Sequence, residues 1–315
     1  MSVVVSLIRW FAVVFGAAGV LFVPTARAEV IGYAVGNVGG TSTLYRIDFN
    51  TGEAWVIGAT GTSKIEGLAL SPEGQLYGVN PASAQLLRCA TTSGACSVVG
   101  TLTGVTPTVN GNAGLAFGLD GRLYLGVNGA LYRVDPNTAA ATSVGATGVA
   151  LGGLAQIAPQ PNCPSGLYGL GSNTDRGKLF CLNPNTGAAT TVATLSGLSP
   201  VDGGLDGLSD GNLLYAVADN GSSASQIFRI APDKLVAEDI RPVTLQGAPV
   251  TGLESLAVAP LPEPLVPHSS DAYTVPTLAA VPLALLGVLL GLSGMLGLRR
   301  AARRAATAGT PPSAK

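Results

Sequence analysis

The chain has 315 residues, a formal net charge of −1 and only 11% charged residues. Its long middle segment carries no basic patch, which argues against nucleic acid as a partner. Its 43 glycines follow no three-residue period, which excludes a collagen-like rod.

In chain order, the N-terminus reads as a secretory signal over residues 1–28. Arg9 supplies the positive start, Trp10 to Val23 is uncharged and mostly apolar, and Ala26-Arg27-Ala28 offers the small residues that signal peptidase cuts after. The mature chain then begins near Glu29.

Residues 29–260 are built of repeats. One motif pairs apolar and aromatic residues and runs into a polar turn: LYRIDFNTG from Leu44, LLRCATTSG from Leu86, LYRVDPNTA from Leu131, LFCLNPNTG from Leu179 and IFRIAPDKL from Ile227. A second is a short strand centred on Tyr33, Tyr77, Tyr124, Tyr168 and Tyr215. A third precedes it: EGLALSPEG from Glu66, AGLAFGLDG from Ala113, GGLAQIAPQ from Gly152 and DGLSDG from Asp206. The units recur about every 45 residues, the size of a four-stranded propeller blade. Pro, Asn, Asp and Gly stand where tight turns need a fixed or positive φ. Glu73, Asp120 and Asp210 read as turn formers on this basis. Trp55 and the repeated tyrosines read as blade packing.

The first unit lacks its opening strand, and Glu254-Ser-Leu-Ala-Val-Ala-Pro260 mirrors Glu66-Gly-Leu-Ala-Leu-Ser-Pro72. The last strand is therefore expected to complete the first blade. The expected fold is all-β, a five-bladed β-propeller with circular closure, plus one C-terminal transmembrane helix. The L-Y-R-[IV]-D-x-N-T-[GA] run resembles bacterial extracellular propeller repeats, a likeness that speaks to fold rather than activity.

The 4 cysteines suit an oxidising compartment. Aligning Cys89 with Ile47 sets Cys96 opposite it across a hairpin, at the α-carbon separation a disulfide needs. Cys163 then pairs with Cys181.

The single histidine, His268, lies in a Pro-rich linker over 261–274. That removes Ser-His-Asp and Cys-His schemes from the repeat region, and no catalytic residue or metal ligand set is assigned. One constellation stands out. The residue before the Gly-Leu or Ser-Leu of each innermost strand is Glu66, Ala113, Gly152, Asp206 and Glu254. Closure puts the blades of Asp206, Glu254 and Glu66 side by side, and their carboxylates could hold a polar ligand or a cation such as Ca²⁺ at the channel mouth. No other cofactor is expected. The leading expectation is a non-enzymatic binding or structural module. The alternative is a divalent-metal-dependent, lactonase-like hydrolase using the same carboxylates.

From Ala272 to Leu298 no residue is charged, long enough to span a bilayer. Arg299, Arg300, Arg303 and Arg304 follow, which keeps that end cytoplasmic and the repeats outside. Gly287 and Gly291 give a G-x-x-x-G spacing that could bring two such helices together. Val275-Pro276-Thr277-Leu278, the apolar run and the Arg cluster resemble the IPTL-CTERM sorting signal, a relative of the PEP-CTERM signals. The resemblance covers 275–304, with a disordered tail over 305–315. It implies a Gram-negative bacterium, an exosortase-type protease as partner besides signal peptidase, and anchoring in the inner membrane before processing. The repeats would then face the periplasm or the cell surface.

Overall fold

In a computed structural model, residues 30–36, 40–108, 111–196, 202–208 and 212–260 are described. The signal segment, Asp210, His268 and the tail with Val275, Pro276, Thr277, Leu278 and the four arginines lie outside them. Among the described residues no helix is long and apolar enough to cross a membrane.

Five four-stranded antiparallel sheets account for most of the described chain. Blade 1 holds β1 (Val30–Gly36), β2 (Thr43–Asp48) and β3 (Ala54–Ala59). Blade 2 holds β4 (Gly67–Leu70), β5 (Leu76–Asn80), β6 (Gln85–Cys89) and β7 (Cys96–Thr101). Blade 3 holds β8 (Ala113–Phe117), β9 (Leu123–Val127), β10 (Ala130–Val134) and β11 (Ala141–Ala146). Blade 4 holds β12 (Leu151–Gln156), β13 (Leu167–Gly171), β14 (Lys178–Leu182) and β15 (Ala189–Thr194). Blade 5 holds β16 (Asp202–Gly207), β17 (Leu214–Asn220), β18 (Ser223–Ala231) and β19 (Val236–Pro242). A short hairpin, β20 (Thr244–Leu245) and β21 (Ala248–Pro249), leads to β22 (Leu253–Pro260). As expected from the sequence, β22 joins blade 1: Val30 pairs with Pro260, Tyr33 with Ala257 and Val35 with Ser255.

Closure is visible in the core. Each of five apolar clusters fills one interface between neighbouring blades. Leu44 and Leu76 lie between blades 1 and 2, and Leu86 and Leu123 between blades 2 and 3. Leu131 and Phe180 lie between blades 3 and 4, and Tyr168 and Phe228 between blades 4 and 5. Phe49 and Tyr215 seal blade 5 against blade 1 edge-on, ring centres 5.1 Å apart. Burying both faces of every sheet this way is what makes the ring, rather than a single blade, the stable unit.

The Gly-Leu steps have a physical reason. On the axis the inner strands touch backbone to backbone. A Cβ on Gly153 would lie 2.3 Å from the Leu205 nitrogen, and one on Gly114 2.5 Å from the Gly153 carbonyl carbon. Leucine beside each glycine turns into the blade and is buried.

The outer motif is equally legible. Its arginine stands opposite the tyrosine of the second strand: Arg88 against Tyr77, Arg133 against Tyr124, Arg229 against Tyr215. Each guanidinium lies about 6 Å or less from a ring centre, within cation–π range. Two of them also hold the next blade's turn. Arg133 Nη2 donates to Pro184 O at 2.7 Å and Arg229 Nη2 to Asn50 Oδ1 at 2.8 Å. The motif's last residue is left-handed in every blade: Gly52, Gly94, Ala139, Gly187 and Leu235. Blade 4 has Cys181 in place of the arginine, and Cys181 binds Cys163 instead. Both disulfides form as expected. Cys89 and Cys96 are directly opposed, with α-carbons 4.0 Å apart, and Cys163 and Cys181 are 5.2 Å apart.

Trp55 departs from the expectation of packing. It is 42% exposed on the edge strand β3, with the Arg46 guanidinium over its ring. An outermost strand has no neighbour on its far side to bury it.

Candidate functional site

The inner strands run from one mouth of the ring to the other. Glu66 sits just before β4, its N–H donating to Val79 O, and Glu254 lies near the start of β22. Because β22 and β4 are neighbours on the axis, the two side chains meet at one mouth, where their carboxyls share a hydrogen bond. Asp202, the first residue of β16, lies across from them and accepts the Gly203 N–H. Its cross-strand partner Asp219 accepts the N–H groups of Gly221 and Gly252.

Glu66, Glu254 and Asp202 line a cavity of about 240 Å³ together with Asn112, Ser63, Lys64 and the Gly40–Ser42 segment. Burial pushes the Glu66 carboxyl up to about 9, helped by the Glu254 charge and hydrogen bond and by Asp202, against the weaker pull of Lys64. Asp202 is pushed up to about 7, again first by burial, then by Glu254 and Asp219. The Gly203 amide and Arg176 oppose this. Asp219 is raised by burial, partly offset by its amide donors. At neutral pH Glu66 therefore keeps its proton, with Glu254 as its hydrogen-bond partner. The mouth offers donors and acceptors side by side.

Asp206 is elsewhere. The sequence groups it with Glu66 and Glu254, but the structure brings only those two together. Blade 5 reads Gly203-Gly204-Leu205-Asp206-Gly207-Leu208, with two Gly-Leu steps three residues apart. The first lies on the axis: Gly204 and Leu205 share the innermost ring with Gly67, Gly114, Gly153 and Ser255. Asp206 is thereby carried about 10 Å along the strand to the opposite mouth. There its carboxylate accepts the Val258 and Gly207 N–H groups. Asp202 takes the acidic-mouth position instead. The Gly-Gly-Leu of blade 4, from Gly152, was the signal that identifies the correct step.

Between the mouths the axis is closed, the innermost ring leaving no room for a water molecule. Among the described residues no three His, Cys, Asp or Glu side chains are grouped to hold a metal ion. Of the expected turn formers, Asp120 caps its turn through the Arg122 N–H and also accepts the Tyr124 hydroxyl. Glu73 lies in the turn between β4 and β5.

No curated protein matches the chain. A chain of the solved structure titled "Crystal structure of Nidogen/Laminin Complex" is similar over 74% of this chain and 86% of its own, with a TM-score of 0.45 and 16% identity. The model of a family described as a repeat of unknown function, DUF6923, matches residues 66–231, from the start of blade 2 through β18 and more than half of the chain. The chain belongs to that repeat family.

Proposed function

We propose that the chain is an exported cell-surface propeller that binds a small polar, hydroxyl- or amine-rich ligand at its acidic mouth and catalyses no reaction on it. The observation that carries this reading is the Glu66–Glu254 pair in its cavity. The protonated Glu66 carboxyl beside the Glu254 carboxyl, with the Asn112 amide and the Lys64 ammonium at the rim, recognises hydroxyl patterns from several sides. A single divalent ion such as Ca²⁺ is the competing occupant, and it would have to displace the shared proton.

Export is supported by the signal-like N-terminus and by two disulfides, which persist in an oxidising compartment. The tail beginning at Val275 would anchor the chain in the inner membrane until an exosortase-type protease acts. Calorimetric titration of the full-length protein with a panel of oligosaccharides, polyols and polyamines, and separately with Ca²⁺, tests the binding reading. Glu254→Gln should remove the heat of the ligand that binds. Substrate turnover lost in Glu254→Gln would overturn the non-catalytic role. Fractionation of cells with and without residues 275–315 tests the sorting role, and an unchanged distribution would count against it.

A further inference from the structure

The opposite mouth is a different chemical environment. The far ends of the inner strands ring a cavity of about 490 Å³, walled by Leu70, Pro72, Phe117 and Leu208, with the Gln156 amide on one side and Asp206 at its base. Each Asp206 oxygen accepts one backbone N–H, from Gly207 and Val258, at 2.8 and 2.7 Å. A carboxylate has about four lone-pair sites, so acceptor capacity remains on both oxygens. Among the described residues no Lys or Arg is hydrogen-bonded or ion-paired to it: β17 presents Tyr215 as its cross-strand partner, β12 presents Gln156 and β22 presents Val258.

We propose that this mouth binds a small primary amine with an apolar body. The ammonium group would sit on the Asp206 carboxylate and the body against Leu70, Phe117 and Leu208. The apolar wall supplies the driving force for the body, and the acid without a counter-ion supplies the specificity for the head. The site is independent of the acidic mouth, from which the closed axis separates it.

Burial alone pushes the Asp206 carboxyl up to about 7, against its two amide donors. A bound ammonium supplies the missing opposite charge and so binds the ionised form. Amine affinity should therefore rise with pH through this range, by about tenfold between pH ~6 and ~8, with a proton released on binding.

Calorimetry of the full-length protein with benzylamine tests this, with benzyl alcohol as the neutral isostere and phenylacetate as the anion. The expected result is that benzylamine binds, more tightly at the higher pH, while the alcohol is at least tenfold weaker and phenylacetate silent. Asp206→Asn should abolish the preference for the amine. Leu208→Arg, which leaves Asp206 in place and puts a cation at the rim, should weaken benzylamine if Asp206→Asn fails to fold. Glu254→Gln should leave benzylamine binding unchanged, which separates this site from the acidic mouth. Equal binding of alcohol and amine, amine binding that survives Asp206→Asn, or no binding of benzylamine at about 10 mM would overturn the proposal.

Discussion

Gly204 of blade 5 lies against Ser255 of the closing strand with no room for a side chain between them. A Cβ on Gly204 would come within 2.6 Å of the Ser255 carbonyl carbon and 2.3 Å of the Leu256 nitrogen. Both neighbours are backbone, which has no rotamer to give way. Gly204→Ala should therefore cost about 3 kcal/mol or more, at the upper end for overpacking. Thermal melts check this, and a melting temperature within a degree or so of the parent would show that the inner ring is looser than described.

Arg133 does two things: it covers Tyr124 and it donates to Pro184 O and Asn185 Oδ1 of the next blade. Replacing it with Met keeps the apolar stem and loses both polar roles. The expected cost is about 1–2 kcal/mol. Arg88, whose guanidinium also donates to the Tyr77 hydroxyl, provides the within-blade comparison. Denaturant melts of Arg133→Met and Arg88→Met measure the difference made by the inter-blade contact.

The acidic mouth makes stability depend on pH in a stated direction. Glu66 is raised from 4.5 to about 9 and Asp202 from 3.8 to about 7. Between each pair of values the folded chain holds a proton that the unfolded chain has lost, so stability falls as pH rises. The decline should begin near pH 4, continue beyond 7 through Glu66 alone, and level off above about 9. Glu66→Gln retains a donor toward Glu254 without a titrating proton. It should flatten the slope above pH 7 and exceed the parent in stability at the alkaline end. Urea midpoints across the range decide it, and parallel slopes for parent and variant would refute the assignment.

The two disulfides should differ in their consequences. Cys163 is wholly buried, and its partner Cys181 stands where the other blades have an arginine or, in blade 1, Arg46. Removing this bridge leaves blade 4 without the clamp that the other blades keep. The double substitution Cys163→Ala/Cys181→Ala should cost about 3 kcal/mol by loop entropy alone. The Cys89–Cys96 bridge closes a shorter loop, of sequence separation 7 against 18, and Cys89→Ala/Cys96→Ala keeps Arg88 over Tyr77. The first variant should melt lower than the second.

The β20–β21 hairpin turns through Gln246 and Gly247, both with positive φ, at 51° and 81°. That backbone favours Asn at the first position. Gln246 is exposed, so Gln246→Asn should stabilise by a few tenths of a kcal/mol to about 1 kcal/mol. Thermal melts read the shift.

The blades, their number and the closing strand were legible in the sequence because each repeat carries its own physical necessities. Four of the five blades put glycine on the axis, four set arginine opposite the tyrosine, and every outer turn ends in a left-handed residue. Cys89 and Cys96 could be paired for the same reason: Ile47 and Ala54 occupy the same opposed positions in blade 1. Trp55 was misplaced because the repeat gives a residue's strand, while its burial depends on what lies beyond the sheet edge.

By itself the sequence determined the ring, since hydrophobic spacing and turn chemistry repeat locally and need no knowledge of distant contacts. Only the tertiary structure decided which acids share a mouth. In Gly203–Leu208 two Gly-Leu steps compete, told apart locally only by the Gly-Gly-Leu likeness to blade 4, and an odd three-residue shift exchanges the faces of a strand. The tight packing of Gly204 against β22 selects the first. That choice sends Asp206 to the apolar mouth and brings Asp202 to Glu66 and Glu254.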